Sequence, residues 1–284
     1  MRYGFVSPNA DTRTLIERAQ VAEEAGWDAF FIPDCIAIET PEYPSSDSYD
    51  PWVQLGALAV TTSRIKLGLM VTAVPRRRPW KLAREAMTVD EISHGRMIFA
   101  VGLGAAKDDV GFYKVGEPLD LRTRAELLDE SLTIIDGLWR GERVNFAGKH
   151  YRVDGMKLLP TTVQQPRIPI WVVGVLGRPK SMRRALAWDG IVPQKMVDGA
   201  PQPLDADDVR ALREAVIAAR GSAEGYAIVA EGETPGDDLD VAVAQVAPLG
   251  EAGLTWWLES RWGESDPKAL LQRIQQGPPR SRSH

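Results

Sequence analysis

"KLGLMVTAVPRRRPWKLA", residues 66–83, contains the pattern from which the whole chain is built. An apolar run at 66–71 predicts a buried strand, and the spacing of apolar residues over 79–92 predicts a helix that Gly95 ends. Three consecutive arginines, residues 76–78, stand in the loop between them. They form either a solvated loop or a charged site at the end of a strand, depending on the fold around them.

Strand and helix patterns alternate along the rest of the chain in the same way. Apolar runs predict strands at 3–6, 28–32, 97–101, 168–173, 190–192, 226–229 and 254–258, and helical spacing predicts helices at 13–25, 51–62, 123–139, 179–187, 205–220, 239–249 and 267–275. Residues 141–167 interrupt this rhythm with hairpin-like pieces and are interpreted as an insertion. The alternation predicts one TIM-type parallel barrel over 1–284 rather than an open sheet. The run "VGLGAA" at 101–106 lacks the third glycine of a dinucleotide-binding fingerprint.

Length and composition limit the classes of function. A chain of 284 residues suits a single α/β barrel, and its formal net charge of -5 argues against a general nucleic-acid-binding protein. No apolar run approaches the roughly 20 residues of a membrane span, and residues 1–11 lack the features of a signal peptide. The one cysteine, Cys35, excludes an internal disulfide. We therefore expect a cytoplasmic protein without nucleic-acid or membrane partners, and we predict no metal site.

In a barrel, the residues that follow the carboxyl ends of the strands form the functional face. After the fifth predicted strand, Gly174 and Gly177 allow the backbone amides to turn inward, and Arg178 adds a fixed charge. A proline then begins a helix whose N-terminus favours an anion. This segment is either a phosphate site or an ordinary strand-to-helix turn. Lys195, after the sixth strand, is placed to close such a site from the side.

The end of the fourth predicted strand supplies further candidates. Gly102 and Gly104 indicate either the close approach of a flat group or tight packing. Asp108 and Asp109 form either a solvated pair or a helix N-terminal charge, and an acid–base role for Asp108 is a third alternative.

Three stretches are typical of one family. They are "DPWVQLGALAVTTSRIKLGLMVTAVPRRRPWKLAREAMTVDEISHGRMIFAVGLG" at 50–104, "RAELLDESLTIIDGLWRGERVNFAGKHY" at 124–151 and "QQPRIPIWVVG" at 164–174. In them the chain resembles the bacterial luciferase-like superfamily, the flavin-dependent monooxygenases and their deazaflavin (coenzyme F420) relatives. The resemblance implies a TIM-type barrel with an insertion, usually dimeric. It also implies that reduced FMN or coenzyme F420 binds with its isoalloxazine ring at the C-terminal mouth.

The resemblance also assigns roles to individual residues. Val71 and Thr72 match a bulge after the third strand, where family members often hold a non-prolyl cis peptide against the ring. Gly102 and Gly104 match the residues beneath the ring. The phosphate loop of the family corresponds to Gly174, Val175, Gly177 and Arg178.

One position departs from the family pattern. Many relatives have "PDH" where this chain has "PDC" at 33–35, and that histidine often assists the chemistry. The histidines of this chain are His94, His150 and His284, none of them at the end of a predicted strand. Cys35 is either a modest proton donor or a small apolar residue that faces the pocket.

The remaining candidates lie around the expected pocket. The loop at 33–48, with Tyr43 in it, is expected to cover the pocket as a lid. The arginines after the third strand are expected at the rim, where they suit an anionic substrate, a long cofactor tail or a dimer partner. Four tryptophans are either pocket walls or core residues: Trp52, Trp80, Trp256 and Trp257. The predicted catalytic residues are Cys35, Glu39 and Asp108, and the predicted substrate-pocket residues are Tyr49, Arg76, Trp256 and Trp257.

Three functions remain open at this point. The leading hypothesis is a homodimeric luciferase-like monooxygenase that acts on a small organic substrate with reduced cofactor, supplied by a separate flavin or deazaflavin reductase. The second is a coenzyme F420-dependent reductase or dehydrogenase without oxygen chemistry. The third is a catalytically silent flavin-binding protein.

Overall fold

The computed structural model describes residues 1–39 and 48–280. Within them, eight parallel strands form the barrel: β1 (Arg2–Val6), β2 (Ala29–Ile32), β3 (Lys66–Leu69), β4 (Met97–Gly102), β5 (Ile170–Val175), β6 (Gly190–Val197), β7 (Ala227–Gly232) and β8 (Trp256–Ser260). Each strand pairs in parallel with the next, and β8 pairs with β1, so the sheet closes on itself. The prediction of a TIM-type barrel is confirmed.

Helices alternate with the strands on the outside of the barrel. They are α1 (Thr12–Glu24), α2 (Pro51–Thr61), α3 (Pro79–Ile92), α4 (Leu121–Trp139), α5 (Pro179–Leu186), α6 (Ala206–Arg220), α7 (Leu239–Ala252) and α8 (Pro267–Gln275). All but α3 and α5 follow an aspartate whose carboxylate accepts hydrogen bonds from the first free amides. The first turns of α3 and α5 begin with a proline after an arginine and have no side-chain cap. Among the described residues, no helix combines the length and the apolar character that a bilayer crossing requires.

Several strand boundaries differ from the sequence prediction: β5 and β8 each lie two residues later than predicted, and β7 ends three residues later. The boundaries of β3 and β6 differ for identifiable reasons. β3 ends at Leu69; the Met70–Val71 peptide after it is cis, and Thr72–Ala73 then pairs with β4. β6 runs further than predicted, to Val197, because Ala200–Gln202 folds back on it as an antiparallel strand.

Alternate residues of each strand fill the barrel interior. In β7, Ala227 and Val229 belong to the interior cluster, whereas Ile228 faces the helices. Trp171 and Trp256 meet inside the barrel with ring centroids 5.2 Å apart. The interior cluster contains Val6, Ala29, Phe31, Met70, Ile98, Ala100, Trp171, Val192, Ala227, Val229, Trp256 and Leu258. The barrel is therefore a packed core, and a ligand has access only at its ends.

Arg96 joins two segments of the first family-like stretch, "TSRIKLG" at 62–68 and "DEISHGR" at 90–96. Its buried guanidinium donates hydrogen bonds to the carbonyl oxygens of Ala59, Thr62, Ile65 and Ser93 at 2.7–3.0 Å. It also donates to the hydroxyl of Thr62 at 2.8 Å. These acceptors belong to the ends of α2 and α3 and to the turn into β3, where helix carbonyls lack partners within the helix. One side chain thus joins the elements that precede β3 and β4.

The insertion after α4 contains an antiparallel hairpin, Val144–Ala147 with Arg152–Met156. Glu130 of α4 accepts hydrogen bonds from three consecutive amides of the hairpin turn. Asp90 of α3 is fully buried and accepts two amides from the later part of the insertion. Two carboxylates therefore hold the insertion against the outside of the barrel.

Candidate active site at the barrel mouth

Two valines close the interior at the carboxyl end of the strands. Val71 and Val173 are half-buried and pack on the interior cluster. A Cβ built on Gly102 would lie 2.8 Å from Cγ2 of Val71 and 3.2 Å from Cγ2 of Val173. Tight packing, one of the two interpretations of this glycine, therefore accounts for its missing side chain. The three residues form an apolar surface, which we term the valine floor.

Gly104 makes room for an aromatic ring of the chain itself. Its φ is +78°, and a Cβ there would lie 2.6 Å from the ring of Phe112. Phe112 belongs to a short helix, Val110–Tyr113, that the sequence analysis did not predict. Arg124 of α4 lies over the same ring, 5.8 Å from its centroid, and donates to the carbonyl oxygens of Leu103 and Gly104 at 2.9 and 2.8 Å. The flat group that Gly104 allows to approach closely is therefore the Phe112 ring of the chain itself.

A carboxylate from the loop after β2 holds the arginines after β3. The Asp34 side chain is 0% exposed and accepts the amide of Ala73 at 2.9 Å. It also accepts hydrogen bonds from Arg76 and from Arg77, the latter through Nη2 at 2.8 Å. The two arginine side chains are 5% and 13% exposed. We term Asp34, Arg76 and Arg77 the Asp34 cluster.

The Asp34 cluster corrects the prediction for the arginine run. Buried guanidinium groups need hydrogen-bond acceptors to replace water, and for Arg76 and Arg77 the carboxylate of Asp34 supplies both acceptors and counter-charge. Arg76 and Arg77 are therefore not free to attract an anion from solvent, and that part of the prediction is wrong. Arg78 is exposed, as expected for one of the three. That Arg76 lies in the substrate pocket stays a prediction, and its positive charge is already paired with Asp34.

Asp109 joins the loop after β4 to the loop after β2. It is 1% exposed and caps the helix Val110–Tyr113 by accepting the amide of Gly111 at 2.9 Å. It also accepts the amide of Ile36 at 3.0 Å and lies 3.5 Å from Nε of Arg76. For Asp109, the interpretation as a helix N-terminal charge is confirmed.

The predicted acid–base candidates Glu39 and Asp108 lie at the outer edge of the mouth. Asp108 is exposed, and its backbone carbonyl accepts the amide of Glu39 at 2.9 Å. The carboxylate of Glu39 pairs with Lys114. Tyr49 is 58% exposed, and Tyr43, with most of the expected lid, lies outside the described residues. Catalytic roles for Glu39 and Asp108 stay predictions.

Cys35 lies buried at the carboxyl end of β2. It is 8% exposed, and its Sγ accepts a hydrogen bond from Nδ2 of Asn9 at 3.4 Å. Burial raises the pKa of the thiol, and the hydrogen bond from Asn9 opposes this shift only in part. His94 lies just after α3 and His150 in the insertion, and His284 lies outside the described residues. A protonated, packed thiol fits the interpretation as a small buried residue better than that of a proton donor.

The loop after β5 leaves an open turn before α5. Gly177 has a φ of +74°, and nothing lies within 4 Å of a Cβ built on it. The amide of Val175 donates to Oγ of Ser181 at 3.0 Å, which fixes the entry into the turn. Arg178 is exposed, and its side chain has no ion-pair partner among the described residues. An open turn, an uncapped helix N-terminus and an unpaired guanidinium therefore meet at one place.

Two other residues of the predicted phosphate site have structural partners instead. A Cβ on Gly174 would lie 2.6 Å from the side chain of Ile191 and 3.2 Å from Ala185, so this glycine lets α5 pack on the barrel. The amine of Lys195 pairs at 2.9 and 2.6 Å with two aspartates at the N-terminus of α6. These contacts direct Lys195 toward α6 rather than toward the loop after β5, and its cofactor role stays a prediction.

Trp256 does not line the mouth. Trp256 is the first residue of β8 and pairs with Arg2 at the start of β1, so it lies at the amino end of the barrel beside Trp171. The prediction that Trp256 lines the substrate pocket is therefore wrong. Trp257 belongs to the outer core between the barrel and the helices, as does Trp52. Its role in the substrate pocket stays a prediction.

Sequence reasoning missed a carboxyl group that faces the mouth. Glu231 follows Ala227 and Val229 in the interior-facing row of β7. It accepts a hydrogen bond from Nε1 of Trp262 at 3.4 Å and another from the hydroxyl of Ser260. Burial, the dominant cause, raises the pKa of this carboxyl group. The sequence "AIVAEG" at 227–232 contained the signal, because the charged residue Glu231 continues the inward-facing row of the apolar residues Ala227 and Val229.

A closed parallel barrel with an apolar floor and an open turn at its carboxyl mouth defines a TIM-barrel protein. The luciferase-like monooxygenase family matches residues 3–260, and the chain belongs to that family. The resemblance found in the sequence is thereby confirmed.

The chain is also similar to individual proteins, among them one uncharacterised protein and two F420-dependent enzymes. The chain is 29% identical to an uncharacterised protein of Mycobacterium tuberculosis (strain ATCC 25618 / H37Rv), over 96% of this chain and 97% of that protein. It is 31% identical to the F420-dependent hydroxymycolic acid dehydrogenase of the same strain, over 60% of this chain and 46% of that enzyme. Among solved structures, an F420-dependent secondary alcohol dehydrogenase in complex with an F420–acetone adduct matches 98% of both chains with a TM-score of 0.78. Its sequence identity is 16%, so this likeness concerns the fold.

Proposed function

We propose that the protein is an oxidoreductase that uses coenzyme F420 or FMN for hydride transfer to or from a small organic substrate at the barrel mouth. The observation that carries the proposal is the valine floor, an apolar surface at the mouth of a luciferase-like barrel. A planar ring system can lie on such a surface because no polar group loses its partner there. The F420-dependent hydroxymycolic acid dehydrogenase, a relative by sequence, favours the deazaflavin of the two cofactors.

The open turn before α5 fits the phosphate that both cofactors carry. Gly177 leaves the turn open, and the first amides of α5 have no side-chain cap. Arg178 supplies a free guanidinium beside them, suited to a charge-assisted hydrogen bond with a phosphate oxygen. The valine floor would hold the ring, and the turn would hold the phosphate. The chemistry that such a cofactor supplies when bound is the transfer of a hydride.

The residues around the valine floor keep it in place. The Asp34 cluster fixes the loop after β3, which carries Val71, through the amide of Ala73 and the two guanidinium groups. Asp109 ties the loops after β2 and β4 to each other. A site held by such buried contacts is organised before any ligand binds, which lowers the entropic cost of positioning the reactants.

The test of cofactor binding is a fluorescence titration of the ligand-free protein with F420 and, separately, with FMN. We expect Arg178→Ala to raise the dissociation constant roughly 10- to 100-fold, because a charge-assisted hydrogen bond contributes about 1.5–3 kcal/mol. Arg183→Ala is the matched control, since Arg183 is an exposed arginine at the other end of α5. An equal dissociation constant in Arg178→Ala would place the phosphate elsewhere, and no binding of either cofactor would refute the proposed function.

The description of the family favours a second candidate, a monooxygenase that uses oxygen with reduced FMN from a separate reductase. Oxygen uptake distinguishes the two candidates. A monooxygenase consumes oxygen in proportion to substrate, whereas an F420-dependent dehydrogenase turns over equally well without oxygen. Cofactor binding without any turnover would instead favour the third hypothesis, a silent flavin-binding protein.

We also propose that the protein is a homodimer, as the family resemblance implies. Sedimentation velocity over a range of concentrations tests this. A single monomeric species at micromolar concentration would contradict it.

A further inference from the structure

The inward rows of β6, β7 and β8 end in polar residues at the mouth. Gln194 continues the row of Val192, Glu231 continues the row of β7, and Ser260 continues the row of Leu258. Gln194 is exposed, Glu231 is half-buried and Ser260 is 5% exposed. One side of the mouth is therefore polar, whereas the side formed by β3, β4 and β5 carries the valine floor.

The neighbours of Glu231 are neutral hydrogen-bond donors. They are the indole of Trp262 and the hydroxyl of Ser260. The charged groups on the adjoining elements pair with one another instead: Lys195 with Asp205 and Asp208, and Arg261 with Glu233 and Glu259. Among the described residues, no cation forms an ion pair with Glu231. A carboxyl group that is partly withdrawn from water and lacks a cation holds its proton to higher pH than an exposed one.

We propose that Glu231 is the acid–base residue of the reaction at the mouth, acting on the oxygen of a ketone or a secondary alcohol. This inference rests on the proposed function. In the reducing direction, a reduced flavin or deazaflavin bound at the mouth would supply a hydride to the carbonyl carbon, and the C=O π electrons would move to the oxygen. Glu231 would give that oxygen its proton, so that the products are an alcohol, the oxidised cofactor and the Glu231 carboxylate. Water at the mouth would then return the proton. In the oxidising direction, the Glu231 carboxylate would accept the proton of the alcohol while the oxidised cofactor takes the hydride.

This role suits Glu231 better than the cysteine that replaces the family histidine. Cys35 is 8% exposed, and burial raises the pKa of a thiol that is already a weak acid. A carboxyl group whose pKa is raised above its ordinary value holds its proton to higher pH than an exposed glutamate and is a stronger acid than a buried thiol.

The first test is made on the ligand-free protein, so it does not depend on any cofactor. Infrared difference spectra of the wild type minus Glu231→Gln are recorded between about pH 4 and 9. We expect a protonated-carboxyl band that persists above the ordinary glutamate pKa of about 4.3. Glu233→Gln is the matched control, because Glu233 lies two residues further along, is exposed and pairs with Arg261 at 3.7 Å. A Glu231 carboxyl group that ionises over the same pH range as an exposed glutamate would overturn the assignment.

The second test is kinetic and uses reduced F420 with acetone and then larger ketones. Loss of an acid–base residue costs roughly 100- to 10,000-fold in rate. We therefore expect Glu231→Gln to lower kcat on that scale while the dissociation constant of F420 changes less than about threefold. Glu231→Asp should restore part of the rate and move the pH profile, which a purely structural role would not do. An unchanged kcat in Glu231→Gln, or no turnover of any ketone, overturns this role for Glu231. Failure of F420 and FMN to bind the wild type overturns the proposed function instead.

Discussion

Replacing Asp34 with asparagine tests whether the arginine run has a structural role. The substitution keeps the size of the side chain and one acceptor oxygen, so the amide of Ala73 retains a partner. It removes the negative charge between Arg76 and Arg77, whose side chains are 5% and 13% exposed. The variant is therefore left with two buried guanidinium groups that have lost their main counter-charge.

The expected loss is about 3–5 kcal/mol in the free energy of unfolding, which is the usual result of removing one partner of a buried ion pair. Two lost charge-assisted hydrogen bonds, at about 1.5–3 kcal/mol each, lead to a similar figure. Asp109 stays 3.5 Å from Nε of Arg76 and compensates part of that charge. We therefore expect a value in the lower half of the range.

Equilibrium unfolding in urea, followed by circular dichroism, measures the difference at one pH and salt concentration. Arg78→Gln is the matched control: Arg78 belongs to the same run but is exposed, so its replacement should change stability by less than about 0.5 kcal/mol. Adding Arg77→Gln to Asp34→Asn should recover part of the loss, because it removes one uncompensated charge. A loss below about 1 kcal/mol in Asp34→Asn would refute the reasoning, since the arginines would then reach solvent without cost.

Three other predictions concern single residues. Cys35→Ser should retain most turnover. In the wild type, the Cys35 thiol should react slowly with Ellman's reagent at pH 8 until urea exposes it, because burial raises its pKa. Rapid labelling of the native protein would contradict a buried, protonated thiol. Trp256→Phe should lower the free energy of unfolding by roughly 1–3 kcal/mol and leave the Michaelis constant unchanged, since the side chain packs at the amino end of the barrel. A changed Michaelis constant at equal stability would show instead that Trp256 contacts the substrate. Hydrogen bonds from the side chains of Lys149, His150 and Arg122 lower the pKa of Glu126 from its ordinary 4.5 to about 2. Its contribution to stability is therefore complete above about pH 4.5 and disappears as the pH falls toward 2, so the wild type should lose more stability over that interval than Glu126→Gln.

The barrel was predictable because its signals are local. A strand and the helix after it each show their periodicity within about a dozen residues, and α3 occupies the residues over which it was predicted, Pro79–Ile92. The end of β3 was not predictable in this way. Its position depends on the pairing of Thr72–Ala73 with β4, which brings together segments distant in sequence.

The site was harder to predict because charged residues take their roles from distant partners. Arg76 meets Asp34, 42 positions earlier in the chain, and no local pattern indicates that contact. Two other errors follow from strand boundaries. Trp256 is the first residue of β8, whereas the predicted strand at 254–258 placed it in the middle. Glu231 lies two residues beyond the predicted strand at 226–229, although it continues an apolar inward row.

Unpaired positive charge is distributed unevenly around the mouth. In the Asp34 cluster and the neighbouring Asp109, two positive charges are balanced by two negative ones. Beside the open turn before α5, two exposed cations stand without carboxylate partners among the described residues: Arg178 and Lys180. A molecule with an anionic tail should therefore turn that tail toward α5 during diffusion, before any contact forms. Its association rate should fall as the ionic strength rises, because salt screens the attraction between exposed charges beyond a Debye length of about 10 Å at 0.1 M.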